Sequence, residues 1–214
     1  MMRGMAQNYM HTMFSDAARA LQEADGSRRS YARMEEGADG SPDLIGEDER
    51  SFIAARDSFY IASTTLDGWP YIQHRGGTGG FLKLLEGNRI GFADYRGNRQ
   101  HLSDANIAHD PRVSLFLMDY PNRRRLKLIG LASVVARADD PVLVEGLKPE
   151  GYSAVAERAY LIDMVGFDWN CPQHISPRFT EAEVKAGVAP LLAEIEHLRA
   201  EIARLSTSTP PTGE

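Results

Sequence analysis

The stretch NRIGFADYRGNRQHL, residues 88–102, has the residue types and order needed to hold a phosphorylated small molecule. A short apolar strand pattern runs into the basic glycine turn Arg96-Gly97-Asn98-Arg99-Gln100 and then into a helix start. Backbone N–H groups in the first turn of a helix lack intrahelical partners, and the helix dipole places partial positive charge there. An anion is therefore favoured where Asn98, Arg99 and Gln100 enter the helix. Arg96 and Arg99 add charge-assisted hydrogen bonds, which are shorter and stronger than neutral ones.

Three other segments carry groups of similar use. Gln73-His74-Arg75-Gly76-Gly77-Thr78-Gly79-Gly80 is a glycine-rich link after a strand. It lacks the Gly-Lys-Ser/Thr of a Walker loop and the crossover helix of a dinucleotide fingerprint. It lets backbone approach a flat ligand closely, or it is a flexible loop. Arg123-Arg124-Arg125-Leu126-Lys127 enters a strand, so Arg123, Arg125 and Lys127 share one face. They call for a neutralising anion or form a solvated edge. Trp169-Asn170-Cys171-Pro172-Gln173-His174 joins a large π-face to two amides and an imidazole. Such a set stacks on and edge-bonds a planar heterocycle, or it caps the barrel.

The surrounding charge favours a small ligand over a polymer. The 214-residue chain carries a net charge of −6, yet residues 71–131 hold ten Lys and Arg against five Asp and Glu. A nucleic-acid binder more usually has a basic domain or basic residues interleaved with stacking aromatics, so no nucleic-acid partner is expected. No apolar run approaches the roughly 18 residues that suggest a membrane span, and the first residues lack a signal pattern, which points to a cytoplasmic protein without a membrane partner. The single Cys171 excludes an intrachain disulfide. His74, His101, His109 and His174 have no metal-ligand spacing, so no metal site is expected. No Gly-x-Ser-x-Gly nucleophile setting is present.

The elements that must position these groups are mostly short strands. Apolar spacing predicts a helix over residues 9–24 that stops at Asp25-Gly26, an irregular arm over 27–46 and a short helix over 47–56. Strands are predicted over 59–65, 71–74, 81–85, 89–94, 113–118, 126–137 and 160–169, with Asp67-Gly68 and Glu86-Gly87-Asn88 as tight turns. A helix over 98–108 is stopped by Asp110-Pro111. This hairpin-rich order points to a small closed barrel, which removes exposed edges. The chain thus divides into an N-terminal arm (1–46), a barrel domain (47–179), a C-terminal helix (180–206) and a disordered tail (207–214). Thr180 and Glu183 form a capping-box pattern, and apolar residues from Val184 to Leu205 alternate at spacings of about four and three, with a break expected near Gly187 and a cleaner helix from Pro190. That helix packs on its own barrel or on a partner.

Taken together, "DGWPYIQHRGG", "IGFADYRGNRQHL", "DPRVSLFLMDYPNRRRLKLIG" and "FDWNCPQHI" give a chain that resembles the pyridoxamine 5′-phosphate oxidase-like family of FMN-binding split barrels over about residues 47–179. The resemblance implies a mainly β fold with flanking helices: a split β-barrel with a helical N-terminal extension and a C-terminal helix. It implies FMN as cofactor, with Asn98, Arg99 and Gln100 at the phosphate. Phe92, Ala93 and Asp94 would line the flavin, and Gln73, His74, Arg75 and Gly76 would run along the isoalloxazine. Arg125 falls where the family usually has a glutamine. Trp169 matches a tryptophan near the flavin that comes from a second subunit, and Arg178 matches a nearby arginine. Lys127, Asn170 and Gln173 join this set from the clusters above. A homodimer with FMN at the interface follows.

The chain departs from true pyridoxamine 5′-phosphate oxidases at substrate positions. Thr78 stands at a lysine position, residues 138–159 form a short segment in which Tyr152, Ser153 and Arg158 are partial substitutes, and His174-Ile175-Ser176 replaces an Arg-x-His element. The resulting expectation is an FMN-dependent oxidoreductase of unassigned substrate and electron donor, with His174 as a weak candidate for proton transfer. The alternatives are a non-catalytic flavin carrier or redox sensor, a genuine pyridoxamine 5′-phosphate oxidase, and a haem-handling split-barrel protein.

Overall fold

A computed structural model describes residues 7–36, 38–97, 99–169 and 173–208. Among them seven strands form one antiparallel sheet: β1 (Ser58–Thr64), β2 (Pro70–Gly76), β3 (Lys83–Leu85), β4 (Arg89–Tyr95), β5 (Arg112–Asp119), β6 (Arg124–Ala136) and β7 (Ala156–Trp169). Their order is β2-β1-β5-β6-β7-β4-β3. Side chains alternate in and out of the core as a period of two requires, so β5 buries Val113, Leu115 and Leu117 and exposes or half-buries the residues between. Leu115, Leu117, Leu126 and Leu128 are fully buried, each contributing about 1.5–3 kcal/mol by area.

The sheet curls but does not close by backbone pairing, which corrects the expectation of a closed barrel. β2 and β3 are its two ends. Side chains from the strands beside those ends meet instead: Phe59 on β1 meets Phe92 on β4 edge-on at 5.3 Å and stacks on Phe81, just before β3, at 5.7 Å. A register shift between Ile129 and Gly130 bends β6, and only glycine fits at the bend, because a Cβ on Gly130 would stand 2.6 Å from the Asp163 carbonyl oxygen. The result is a split barrel, as the resemblance implies.

Two compact units are present. The first takes in the described residues up to Asp119 together with Arg123–Ile175, and the second comprises Tyr120–Asn122 and the described residues from Ser176 onward. In the first unit the N-terminal segment is more helical than expected. The single predicted helix divides into α1 (Gln7–Met13) and α2 (Asp16–Asp25), because the Ser15 hydroxyl accepts from the Ala18 N–H and starts a new helix. The predicted irregular arm contains α3 (Arg28–Glu35), held by Glu35 against Arg19 and Arg28 and by Tyr31 edge-on to Phe14. α4 (Glu47–Ala54) stops two residues before the predicted end. α5 (Leu102–His109) starts four residues later than predicted, since Arg99 and His101 adopt positive φ. α6 (Pro141–Gly146) was not foreseen; Asp140 caps it by accepting from the Leu143 N–H.

In the second unit α7 (Glu181–Ser208) is one helix, without the predicted break. Pro190 removes a backbone bond to Ala186, but the Ala, Leu and Glu on either side are strong helix formers and carry the helix through. Thr180 and Glu183 exchange capping hydrogen bonds as their spacing predicts.

The Asp43 carboxylate fastens α1 to the barrel. It accepts from the backbone N–H of Asn8 and Tyr9, each at 2.9 Å, and of Phe167 at 3.3 Å. Gly166 makes room for this junction, since a Cβ there would lie 2.8 Å from Asp43 and 2.9 Å from the Tyr9 backbone. Gly166→Ala is expected to lower stability by about 2 kcal/mol, because backbone on the receiving side cannot yield like a flexible side chain. A urea titration that leaves the midpoint unchanged would refute this.

Candidate cofactor cleft

A polar cleft lies where the barrel is split. Tyr71, Gln73 and Arg75 reach it from alternate positions of β2, Asp94 and Tyr95 from the end of β4, and Arg158 and Tyr160 from β7. Gly97, Arg99, Gln100 and His101 come from the following loop, and Ser103 and Asp104 from the first turn of α5. The cleft encloses about 70 Å³, and an adjoining recess lined by His74, Gly76, Phe92 and Ala93 encloses about 190 Å³. Arg75, Asp94 and Tyr95 border both.

Charged groups inside the cleft are paired in a chain. Arg75 donates to Asp94 and, at 3.2 Å, to the Tyr160 hydroxyl. The Tyr160 hydroxyl donates to Asp104, which also binds Arg158 and, at 2.8 Å, His101. Arg158 closes the chain, with Nε 3.6 Å from Asp94. Burial pushes the Asp94 carboxyl up against the pull of Arg75 and Arg158. Burial, helped by the Asp104 carboxylate, also pushes the Tyr160 hydroxyl far up, so it stays a proton donor. At Asp104 burial is outweighed by the hydrogen bonds from Tyr160 and His101 and the charge of Arg158, which hold its carboxyl below the usual range.

The rim is basic. Arg96 lies 2.8 Å and Arg99 3.9 Å from Glu157, whose carboxyl is held low first by the Arg96 hydrogen bond. The helix behind the rim begins at Leu102, so Arg99 and Gln100 precede the helix and do not form its first turn. This corrects the anion-seat geometry: the N–H groups of the α5 first turn belong to residues 102–104, and no side chain caps them at His101. Arg75 adds a second feature that suits a ligand, since its Nε–H is buried without an acceptor. A buried donor left in that state costs about 1–3 kcal/mol, so an acceptor entering the cleft is favoured. An isoalloxazine edge offers such acceptors, and a phosphate suits the rim.

Of the residues singled out in the sequence, Gln73, Arg75, Asp94, Arg99 and Gln100 come together in the cleft, and His74, Gly76, Phe92 and Ala93 border the recess. The Phe92 ring itself is core, stacked 4.9 Å from Tyr160. The others lie elsewhere in the first unit. Lys127 pairs with Asp168 at 2.8 Å, and Arg125 lies beside Phe116 with its Nε buried and unpartnered. Trp169 donates to Glu49 at 2.6 Å and packs between Phe52 and Arg124. Gln173 and His174 are exposed in a turn and do not line the cleft, and Asn98 and Asn170 fall outside the described residues. In the second unit Arg178 stacks over Tyr120 at 4.8 Å.

Sequence reasoning missed Tyr160 and Asp104 and gave Arg158 only a substrate role. The period-two spacing of Arg158 and Tyr160 signals a shared face, but nothing in the sequence aligns that face with α5. Among the described residues no group of three metal-binding side chains occurs. None of their helices is long and apolar enough to cross a membrane.

Asp104 makes the acid response of this network testable. Its folded pKa lies below the unfolded value of 3.8, so the unfolded chain binds more protons between the two values. Its stabilisation is present above that window and lost as pH falls through it. Asp104→Asn is expected to flatten the loss of stability as pH falls below about 4 in urea unfolding. An unchanged acid limb would refute the assignment.

The structure is similar to that of HupZ from group A Streptococcus, at 13% identity over 64% of this chain and 100% of that one, with a TM-score of 0.48. A putative pyridoxamine 5′-phosphate oxidase from Lactobacillus delbrueckii is 17% identical over 58% of this chain and 93% of its own, with a TM-score of 0.44. An FMN-binding protein from Syntrophomonas wolfei is 10% identical over 70% and 97%, with a TM-score of 0.45. No curated protein matches the chain. The family model for pyridoxamine 5′-phosphate oxidase matches residues 45–160, which take in six of the seven strands and the start of β7 with Arg158 and Tyr160, and the chain therefore belongs to that family.

Proposed function

We propose that this protein is a flavoprotein that binds FMN in the cleft at the barrel split, as a cytoplasmic FMN-dependent oxidoreductase of unassigned substrate and electron donor. The observation that carries the proposal is the unsatisfied Arg75 donor beside a rim of Arg96 and Arg99, in a chain of the pyridoxamine 5′-phosphate oxidase family. Arg99, Arg96, Asn98 and Gln100 hold the phosphate, and the β2 backbone from Gln73 to Gly76, with Arg75, orients the ring. When bound, the flavin supplies hydride or electron transfer.

The two recesses are each smaller than the roughly 300–1,000 Å³ of a ligand pocket, which supports a homodimer whose second copy completes the site. Trp169, Asn170, Gln173 and Arg125 then serve the cleft of the partner. Lys127 is a weaker member of that set, since Asp168 already neutralises it.

One observation favours a second reading, a flavin carrier without turnover. Each of the acids lining the cleft, Asp94, Asp104 and Glu157, is ion-paired with an arginine, so none is poised to exchange protons with a substrate. Steady-state oxidation of NAD(P)H or of a supplied substrate by the purified protein counts against the carrier.

The test of the common reading is the visible absorption spectrum of the purified protein, with mass identification of what denaturation releases. A flavin spectrum with released FMN is the expected result. A colourless protein that also fails to bind added FMN would overturn it. Arg99→Ala is expected to weaken FMN binding by about tenfold or more, the worth of a charged hydrogen bond. Glu157→Gln is expected to tighten it severalfold, because that carboxylate competes with phosphate for Arg96 and Arg99. Fluorescence titration reads both changes.

A further inference from the structure

We infer that α7 pairs with α7 of a second copy of this chain as a parallel two-stranded coiled coil. The helix carries a heptad register over three repeats: Val188, Ile195 and Ile202 at position a, and Leu191, Leu198 and Leu205 at position d. All six side chains are large and apolar, and they are 39–63% exposed. β-Branched residues at a with leucine at d are the choice that favours two parallel strands, because these side chains pack the a and d layers differently. Pro190 falls at position c, on the side away from this seam, so its ring does not obstruct a partner.

The flanking charges identify the partner and its direction. Position g holds Gly187, Glu194 and Glu201, and position e holds Leu192, Arg199 and Ser206, so Leu192 widens the apolar seam in the first repeat and the charges lie in the later two. In a parallel pair, g of one helix faces e of the next heptad in the other, five residues on. Glu194 therefore meets Arg199 of the other copy, and symmetry repeats the pair. Glu201 meets the neutral Ser206. Neither Glu194 nor Arg199 forms an ion pair among the described residues, whereas Glu201 is engaged by Arg204 at 2.7 Å on the same helix. An antiparallel pair would set g against g and confront Glu194 with Glu201, a like-charge contact. The seam is thus self-complementary in one orientation, as a two-fold interface requires.

Cysteine cross-linking of the full chain tests this, in a Cys171→Ser background. Leu191→Cys and Ile202→Cys are expected each to form a disulfide with itself in most chains under mild oxidation, since identical residues face each other in a parallel pair. Ala193→Cys, at position f, is the control and is expected to cross-link at least tenfold less. Glu194→Arg is expected to slow Leu191→Cys cross-linking severalfold, and adding Arg199→Glu to restore it. Cross-links formed only between Leu191→Cys and Ile202→Cys in a mixture would mean an antiparallel pair and overturn the proposal. Seam cysteines no better than Ala193→Cys, or a charge swap without rescue, would overturn it as well. The pattern is independent of flavin content, so a colourless protein that cross-links as expected would leave it standing.

Discussion

The ion pair between Arg75 and Asp94 bridges the split in the barrel, and the arrangement of the cleft depends on it. The two residues stand on β2 and β4, near opposite ends of the strand order, where no backbone ladder joins them. The split is therefore held by side chains, with Phe59, Phe81 and Phe92 beneath and Arg75 to Asp94 and Tyr160 above. Burying such charges is expensive, and a hydrophobic pair of similar volume often does as well or better for stability. Their presence at the split is therefore weak evidence for stability and better evidence for a polar site.

The same network fixes how the cleft is divided. Inside, Arg75 and Arg158 balance Asp94 and Asp104, so little net charge faces a ligand and recognition rests on hydrogen bonds. At the rim two arginines share a single carboxylate, Glu157, which leaves positive charge in excess. A ligand with a neutral planar part and an anionic tail matches that division. Of the ten cations in residues 71–131, only Arg75, Arg96 and Arg99 stand at this cleft.

The second unit follows a different logic. The barrel hides its apolar residues by alternation along strands, whereas α7 leaves eight large apolar side chains from Val184 to Leu205 exposed, six of them at the a and d positions of one seam. A seam of that kind gains from a matching surface, and its charge pattern selects one.

Much of this was legible in the sequence because strand alternation and turn chemistry are local. All seven strands were foreseen, and so was the Thr180 and Glu183 cap, since each follows from the period of apolar residues or from a fixed short spacing. Arg99 stands out in the sequence because it lies beside a glycine turn, and Asp94 through the family resemblance; the fold brings both to the cleft. The helix boundaries were less legible: Ser15 starts a new helix inside an apolar pattern that reads as continuous, and Arg99 and His101 delay α5 through positive φ that their side chains do not announce. Only the tertiary structure decided the pairing of Arg75 with Asp94 and of Asp104 with Tyr160 and Arg158, and with it how the two sides of the split are joined. Those contacts join residues 19 to 56 positions apart, and their meeting depends on how far the sheet curls, a property of the packed core as a whole.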